Sequence, residues 1–546
     1  MQDVLFADPL SRMALLKIDA LPDTSKHFRV NVWRNHAFEG LVSLIEPYAQ
    51  FCGWTFDFNL GAYDDSLSFN GHQMADLELI WLDSTRYAEN GTGDFWKTWL
   101  KSRMTFLRDQ TKAPIIFCSW GASSAFSQEV QSVLEGIPDA HFADLAAACS
   151  SVGVQLVDQR TAALSGTPIG NAAQVVLARE MTCRWMAAVL MPPIKAIAVD
   201  LDNTLHKGIL GEDGIQGVEL TPGHADLQQL LKSLIEKGIF VALVSKNERT
   251  DVETLFQERH DYPLKLHDFS AVEVSWGDKA SALERAAQTL RISPDAVLFV
   301  DDNIGELADI TLSQPNAHTV FAAPDAILTR RTIEYYPGLW RWHVGDDDSK
   351  RIQDLKANTE RERLKERFEN SSQYFENLKV SLTFRRNSRE QLPRLADLCA
   401  KTNQFNLAFQ RLSQSELSNL MQREDAAVVS VQLSDLLSDS GVVGVVAATR
   451  QGDDLIVEEL CVSCRALGRR LEDAMIMLSL QNMEILQGCK RIVFRAVEAP
   501  RNQPALNWLA ELTGLPQSKL LTEASLPIAK ATEFQAEQGI LLNMEE

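Results

Sequence analysis

Nineteen residues, AIAVDLDNTLHKGILGEDG from Ala196 to Gly214, constrain this chain more than any other stretch. The apolar, β-branched run from Ile194 to Val199 reads as a fully buried strand. Asp200 and Asp202 follow it directly, where a parallel sheet exposes its carboxyl ends. A spacing of two turns both carboxylates toward one face of the pleat. One carboxylate can then attack phosphorus while the other protonates the leaving oxygen and later activates water. So much negative charge beside a phosphate calls for a cation. An isolated D-x-D is more often a capping aspartate in a β-to-α turn, so the assignment depends on what else the chain supplies.

It supplies three partners in order. A strand from Ile239 to Val244 ends at Ser245, followed by Lys246 and Asn247; a hydroxyl at a strand end beside a helix start can hold a phosphate oxygen. Lys279 opens an amphipathic helix in WGDKASALERAAQTL, with Leu283, Ala286, Ala287 and Leu290 facing inward. Its ammonium can neutralise both phosphate and nucleophile. A further strand, Ala296 to Val300, delivers Asp301 and Asp302. Singly, such a serine is usually a cap and such a lysine a solvated side chain. Together they bring three strand ends and one helix start to one pocket.

At 546 residues the chain exceeds one core, and two to four domains are expected. A net charge of -21 argues against general nucleic-acid or anionic-membrane binding, while leaving room for a local basic phosphate pocket. The first residues, MQDVLFADPLSRMALLKIDALPD, carry acids where a signal peptide needs a basic start and an unbroken apolar run. The most apolar helix, VVLAREMTCRWMAAVLMPP, is interrupted by Arg179, Glu180 and Arg184 and reads as a core helix. Eight scattered cysteines fit reduced thiols, and a cytoplasmic protein is expected.

Residues 1–190 alternate helices with short apolar strands, the pattern of a parallel α/β domain. No G-x-S-x-G occurs there, and His36 reads as a helix-start residue rather than a base. Residues 194–345 form the domain around the D-x-D. The charged segment of 346–379 reads as an exposed linking helix, since its apolar positions Ile352, Leu355 and Leu364 are sparse. Residues 380–546 read as strand, helices, three strands, helix, strand, helix.

DLDNT, Ser245, Lys279 and VDDN match, in order, the four motifs of the haloacid dehalogenase superfamily, which this central domain resembles. The resemblance implies a Rossmann-like fold, with Asp200 as nucleophile and Asp202 as general acid/base. It also implies phosphate contacts from Thr204, Ser245 and Lys279, and Mg²⁺ held by Asp200, the backbone carbonyl of Asp202, and Asp301. Asp302 is either a further neighbour of that site or a cap for the helix at Ile304. LDNTLxxGxxGEDG, the SKN of Ser245 to Asn247 and VDDNxxE further resemble the FkbH-like proteins. Those proteins usually carry Trp-Gly where this chain has His206-Lys207; Lys207 is then either a phosphate or carboxylate contact or a solvated flap residue.

In the C-terminal domain, the strand opening through CRALGRRLEDAMIMLSL resembles the acyl-CoA turn of GNAT acetyltransferases, although Arg470 stands where that family has Gly or Ala. Arg465, Gly468 and Arg470, with His206, Lys207 and Asp302, are candidate contacts for substrate or a pantetheine arm. Cys464 lies beside Arg465, Arg469 and Arg470, which would favour a thiolate; at a strand end it is equally a structural cysteine. An SCRxLGR segment recurs in FkbH-like proteins, which makes Cys464 a candidate acyl carrier.

Over nearly the whole chain the order is an SGNH-hydrolase-like domain without its catalytic residues, a phosphatase-like domain, a linker and a GNAT-like domain. That resemblance implies a multidomain α/β glyceryl transferase/phosphatase. Such enzymes take 1,3-bisphosphoglycerate, release phosphate, and load the acyl group on the phosphopantetheine thiol of an acyl carrier protein. Two other readings stay open: a plain Mg²⁺-dependent phosphatase acting on a sugar phosphate or other small ester, and an acyltransferase with a vestigial phosphatase domain.

Overall fold

A computed structural model describes residues 1–18, 26–87, 94–121, 124–158, 160, 166–343, 346–365, 367, 368 and 370–545. The protein is a multidomain α/β chain with parallel sheets, divided into two compact units. One comprises Met1–Leu234, Phe240–Thr289 and Ser293–His343; the other comprises Ile235–Ile239, Leu290–Ile292 and Val344–Glu546. The boundary expected at Gly345 lies outside the described residues. Among the described residues no helix is long and apolar enough to cross a membrane.

The first unit holds two five-stranded, wholly parallel sheets. In one, β1 (Lys26–Arg34), β2 (Trp54–Tyr63), β3 (Leu77–Asp83), β4 (Ile115–Trp120) and β5 (Ala140–Asp144) run in the order β2-β1-β3-β4-β5. Every residue of β3 and β4 is buried, as helix-covered parallel strands require. His36 follows β1, sealed beneath Trp81 and Trp120 with Nδ1 2.9 Å from Thr167 Oγ1. Burial, reinforced by Arg86 and Arg34, holds this imidazole down at about 3. It stays neutral and away from solvent, a packing role.

In the second sheet, β6 (Ala196–Val199), β7 (Phe240–Ser245), β8 (Ala271–Val274), β9 (Val297–Asp301) and β10 (His318–Phe321) run in the order β10-β9-β6-β7-β8. From β6 the chain winds outward to β8, then crosses over to β9. The strand order therefore reverses between β6 and β9, and a crevice opens there at the carboxyl ends. The sheets share one unit partly through Tyr335, whose ring lies under the guanidinium groups of Arg179 and Arg184 at 3.8 and 4.0 Å. Its hydroxyl donates to Glu180 Oε1 and accepts from Arg179, each at 2.9 Å. The apolar helix of the sequence reading is a core helix with a π-helical turn at Met181–Met186.

The second unit contains a seven-stranded mixed sheet. Here β11 (Ser381–Arg386), β12 (Ala426–Ser434), β13 (Asp439–Gln451) and β14 (Asp454–Val462) are antiparallel neighbours. β15 (Arg491–Phe494) then joins β14 in parallel, with β16 (Ser525–Pro527) and β17 (Leu541–Glu545) at the edges.

The charged helix Asp346–Lys365 is not the exposed linker expected from its composition. Asp354, Asn358 and Arg361 share one face at i, i+4 and i+7 and are buried. Asp354 accepts from Arg361, Arg469, Ser438 and Ser440, and Arg361 reaches on to Asp435. Removing one partner from a buried ionic network strands the others. Asp354→Ala is therefore expected to lower unfolding free energy by about 3–5 kcal/mol in denaturant titration.

Candidate active site

Asp200 ends the buried run of β6, and its own N–H still pairs with Val300 O at 3.0 Å. The chain then turns sharply at Asn203, whose φ of 52° lies in the left-handed region that asparagine tolerates. The Asn203 side chain closes the turn by accepting the Gly208 N–H at 3.0 Å. Gly208 sits at φ 105°, and a Cβ there would come within 2.7 Å of Asp213 Oδ2, so the turn requires glycine.

Ser245 ends β7, Asp301 ends β9, and Lys279 begins the helix Lys279–Thr289. Lys279 Nζ lies 2.9 Å from Asp200 Oδ1 and 2.5 Å from Asp301 Oδ2. Asp200, Asp202, Ser245, Lys246, Lys279, Asp302 and Glu306 are among the residues that line one open cavity of about 500 Å³. Asp302 is not the helix cap; Asn303 takes that role, accepting from Gly305 N at 2.8 Å. Carboxylate oxygens of Asp200, Asp301 and Asp302 lie within 4.8 Å of one another.

Lys279 thus bridges two of these three carboxylates, Asp200 and Asp301. Burial raises the Asp200 carboxyl to about 7, with Lys279 opposing and Asp301 adding to the rise; burial raises Asp301 as well. An all-oxygen donor set with surplus negative charge fits a hard divalent cation such as Mg²⁺. Because a raised carboxyl pKa means that the folded state holds its proton more tightly, this contribution to stability is present at low pH and is lost as pH rises through about 7. Without a cation, Asp200 should therefore weaken the fold as pH rises. The rise in melting temperature on adding Mg²⁺ is expected to be larger near pH ~8 than near pH ~5.

Asp202 behaves differently. Burial would raise its pKa, but hydrogen bonds from His206, the Leu210 N–H and Asn247 outweigh that and leave it lowered. Those contacts measure 3.3, 2.9 and 2.9 Å. Two carboxyl groups two residues apart are thus pushed in opposite directions, Asp200 toward its protonated form and Asp202 toward its charged form; a nucleophilic Asp200 therefore needs a cation beside it to restore its charge.

Several expected contacts fall elsewhere. His206 is fully buried beneath Asp202, so it does not face the cavity. Lys207 points outward, 3.4 Å from Glu219, in a backbone bridge between those two residues. Thr204 is buried, absent from the cavity lining, and its hydroxyl has no partner among the described residues. Ser245 is thus the hydroxyl at the cavity wall. Lys246 and Glu306, 2.5 Å apart, line the cavity as an ion pair. Both sit inside the SKN and VDDNxxE signatures, but nothing in their spacing shows that they meet.

In the second unit the segment expected to form an acyl-CoA turn differs from expectation. The helix begins only at Glu472, well after Cys464. Glu472 and Asp473 fill its first turn, and Glu472 accepts the Gly468 N–H at 3.0 Å. Acidic groups there disfavour a pyrophosphate. Arg465 is buried and donates to Val442 O, Arg469 is consumed by Asp354 and Asp435, and Arg470 is exposed with φ 60°. Nor is the edge of β14 free beyond β15. Val462 N donates to Phe405 O at 2.9 Å, and Leu407 N donates to Leu460 O at 3.3 Å. The backbone of Leu460 and Val462 is thus already paired with the segment Phe405–Leu407. Cys461 pairs spatially with Cys399 and Glu459, all buried, rather than with Cys464. Both Glu459 oxygens are taken by the N–H groups of Arg411 and Leu460.

No protein-family model matches the sequence, and no curated protein matches it. Among solved structures, the chain is similar to the N-terminal part of BF1531 from Bacteroides fragilis, described as containing a phosphatase domain complexed with Mg. The identity is 18% over 61% of this chain and 96% of that one, with a TM-score of 0.45. An uncharacterized protein from Corynebacterium glutamicum matches at 13% identity over 26% of this chain and 95% of its own, TM-score 0.19. A fungal GCN5-related glucosamine N-acetyltransferase region of a GH3 β-N-acetylglucosaminidase matches at 12% identity over 78% of this chain and 46% of that chain, TM-score 0.17.

Proposed function

We propose that the chain is a Mg²⁺-dependent phosphatase for small phosphate esters that works through a phosphoryl-Asp200 intermediate. The observation that carries this reading is the meeting of Asp200 with Lys279, Asp301 and Asp302 at the strand-order reversal, with Asp202 and Ser245 on the same cavity wall. A bound Mg²⁺, held by Asp200, Asp301, Asp302 and the Asp202 carbonyl, would neutralise charge on the transferring phosphoryl group. Ser245 and Lys279 hold its oxygens. Asp200 Oδ attacks phosphorus and the ester P–O bond breaks. The leaving oxygen takes a proton from Asp202, whose protonated form is favoured by the bound phosphate charge beside it. Asp202, now ionised, takes a proton from water as that water attacks phosphorus, and phosphate leaves Asp200 free. The test is phosphate release across a panel of phosphomonoesters and acyl phosphates, with Mg²⁺ and with chelator. Mg²⁺-dependent release is expected, and its absence on every ester would contradict the reading.

A second reading, glyceryl transfer to an acyl carrier protein, is favoured by one observation. Of the four cysteines in the second unit, Cys464 alone is partly exposed. Its sulfur would attack the acyl carbon of an acyl phosphate such as 1,3-bisphosphoglycerate, expelling phosphate and forming a thioester. The carrier thiol would displace that thioester, and the remaining phosphomonoester would be hydrolysed at Asp200. Intact mass after mixing with this substrate should show a covalent acyl adduct that Cys464→Ala loses; an unmodified wild-type chain would end this reading.

A further inference from the structure

We propose that His206, held in place by Tyr262, is the positioning residue that fixes the Asp202 carboxylate for the water-attack half of the reaction. This rests on the phosphatase reading and deepens it. His206 is fully buried, with Nε2 3.3 Å from Asp202 Oδ1 and Nδ1 3.0 Å from the Tyr262 hydroxyl. A neutral imidazole has one N–H and one lone pair. An ionised Asp202 can only accept, which puts the proton on Nε2 and leaves Nδ1 to accept from Tyr262. The chain of hydrogen bonds therefore has one direction, from Tyr262 through His206 to Asp202.

Tyr262 is itself anchored. It is 1% exposed, and the Arg259 guanidinium lies 4.7 Å from its ring centroid. Arg259 also donates to the carbonyls of Ile215 and Val218, where the segment after the catalytic turn ends. Asp202 accepts from three donors: His206 and the Leu210 N–H on Oδ1, and Asn247 on Oδ2. His206 is the side-chain donor on Oδ1; it is buried and absent from the cavity lining, so it can restrain the carboxylate without occupying the cavity.

The two halves of the reaction need Asp202 unequally when the leaving group is p-nitrophenolate, which departs without a proton. Phosphorylation of Asp200 should then be insensitive to His206, while hydrolysis of the phosphoryl group should slow. With the full-length chain, Mg²⁺ and p-nitrophenyl phosphate, His206→Ala is expected to give a burst of one p-nitrophenolate per chain. Steady-state release should then be slower by roughly 10- to 100-fold. Acid-quenched protein should carry one phosphoryl group. Tyr262→Phe should show the same pattern more weakly, and His206→Gln, which keeps a donor near the Nε2 position, should restore turnover without a burst. A decrease with no burst and no phosphoryl accumulation in His206→Ala or Tyr262→Phe, or an unchanged rate in both, would overturn the assignment. A wild-type chain that releases no p-nitrophenolate at all would instead overturn the phosphatase reading.

Discussion

Asp200→Asn should lower Mg²⁺-dependent phosphate release on the order of 10⁴-fold or more, because the amide oxygen that replaces the carboxylate is not a competent nucleophile. The shape of the site survives the change, and an amide oxygen can still accept from Lys279. Its effect on folding should run opposite to its effect on activity. Burial makes the Asp200 charge costly, so the variant should melt at or above the wild-type temperature in chelator, and its gain on adding Mg²⁺ should shrink. Phosphatase assays and thermal melts on one preparation read both effects. Undiminished phosphate release would mean that the centre at Asp200 is not the catalyst, and would revive the acyltransferase reading with a vestigial phosphatase domain.

Lys279→Met is expected to harm both folding and chemistry. The ammonium is 7% exposed and holds two buried carboxylates at 2.9 and 2.5 Å. Without it, Asp200 and Asp301 face each other with no protein cation between them, at a cost of about 3–5 kcal/mol in chelator. That deficit should shrink as pH falls, because protonating either carboxyl removes the repulsion. Mg²⁺ should restore part of the stability. It should restore less of the activity, since Lys279 also meets the charge that develops on phosphorus; a residual defect of about 10²–10³-fold is expected. Denaturant titrations at low and high pH, with and without Mg²⁺, separate these contributions.

The centre of the sheet that carries the site was legible because β6, β7 and β9 are short apolar runs that lead directly into Asp200, Ser245 and Asp301, and parallel order brings their ends together. Asp200, Ser245, Asp301 and Asp302 were readable that way, and Lys279 as the first residue of an amphipathic helix. His206 was not. It follows Asp202 by four residues on a turn whose direction is set by the positive φ of Asn203, and sequence spacing does not reveal that the chain doubles under its own carboxylate. Tyr262, 56 residues away, gave no signal of its own.

The charged helix shows the converse. Its apolar positions were sparse, so hydrophobic periodicity suggested exposure, whereas the buried stripe is polar and is satisfied by Arg469, Asp435, Ser438 and Ser440. The same network removes Arg469 from the neighbourhood expected for Cys464. Charge next to a cysteine in sequence is a poor guide when the charge is already paired.

The most direct test of the central claim is acid-quenched peptide mapping after brief mixing with Mg²⁺ and p-nitrophenyl phosphate. The prediction is a single phosphoryl group on the peptide that contains Asp200, dependent on Mg²⁺ and missing from Asp200→Asn. Phosphate release that proceeds with Asp200 never phosphorylated, or a phosphoryl group found on any other residue, would contradict it.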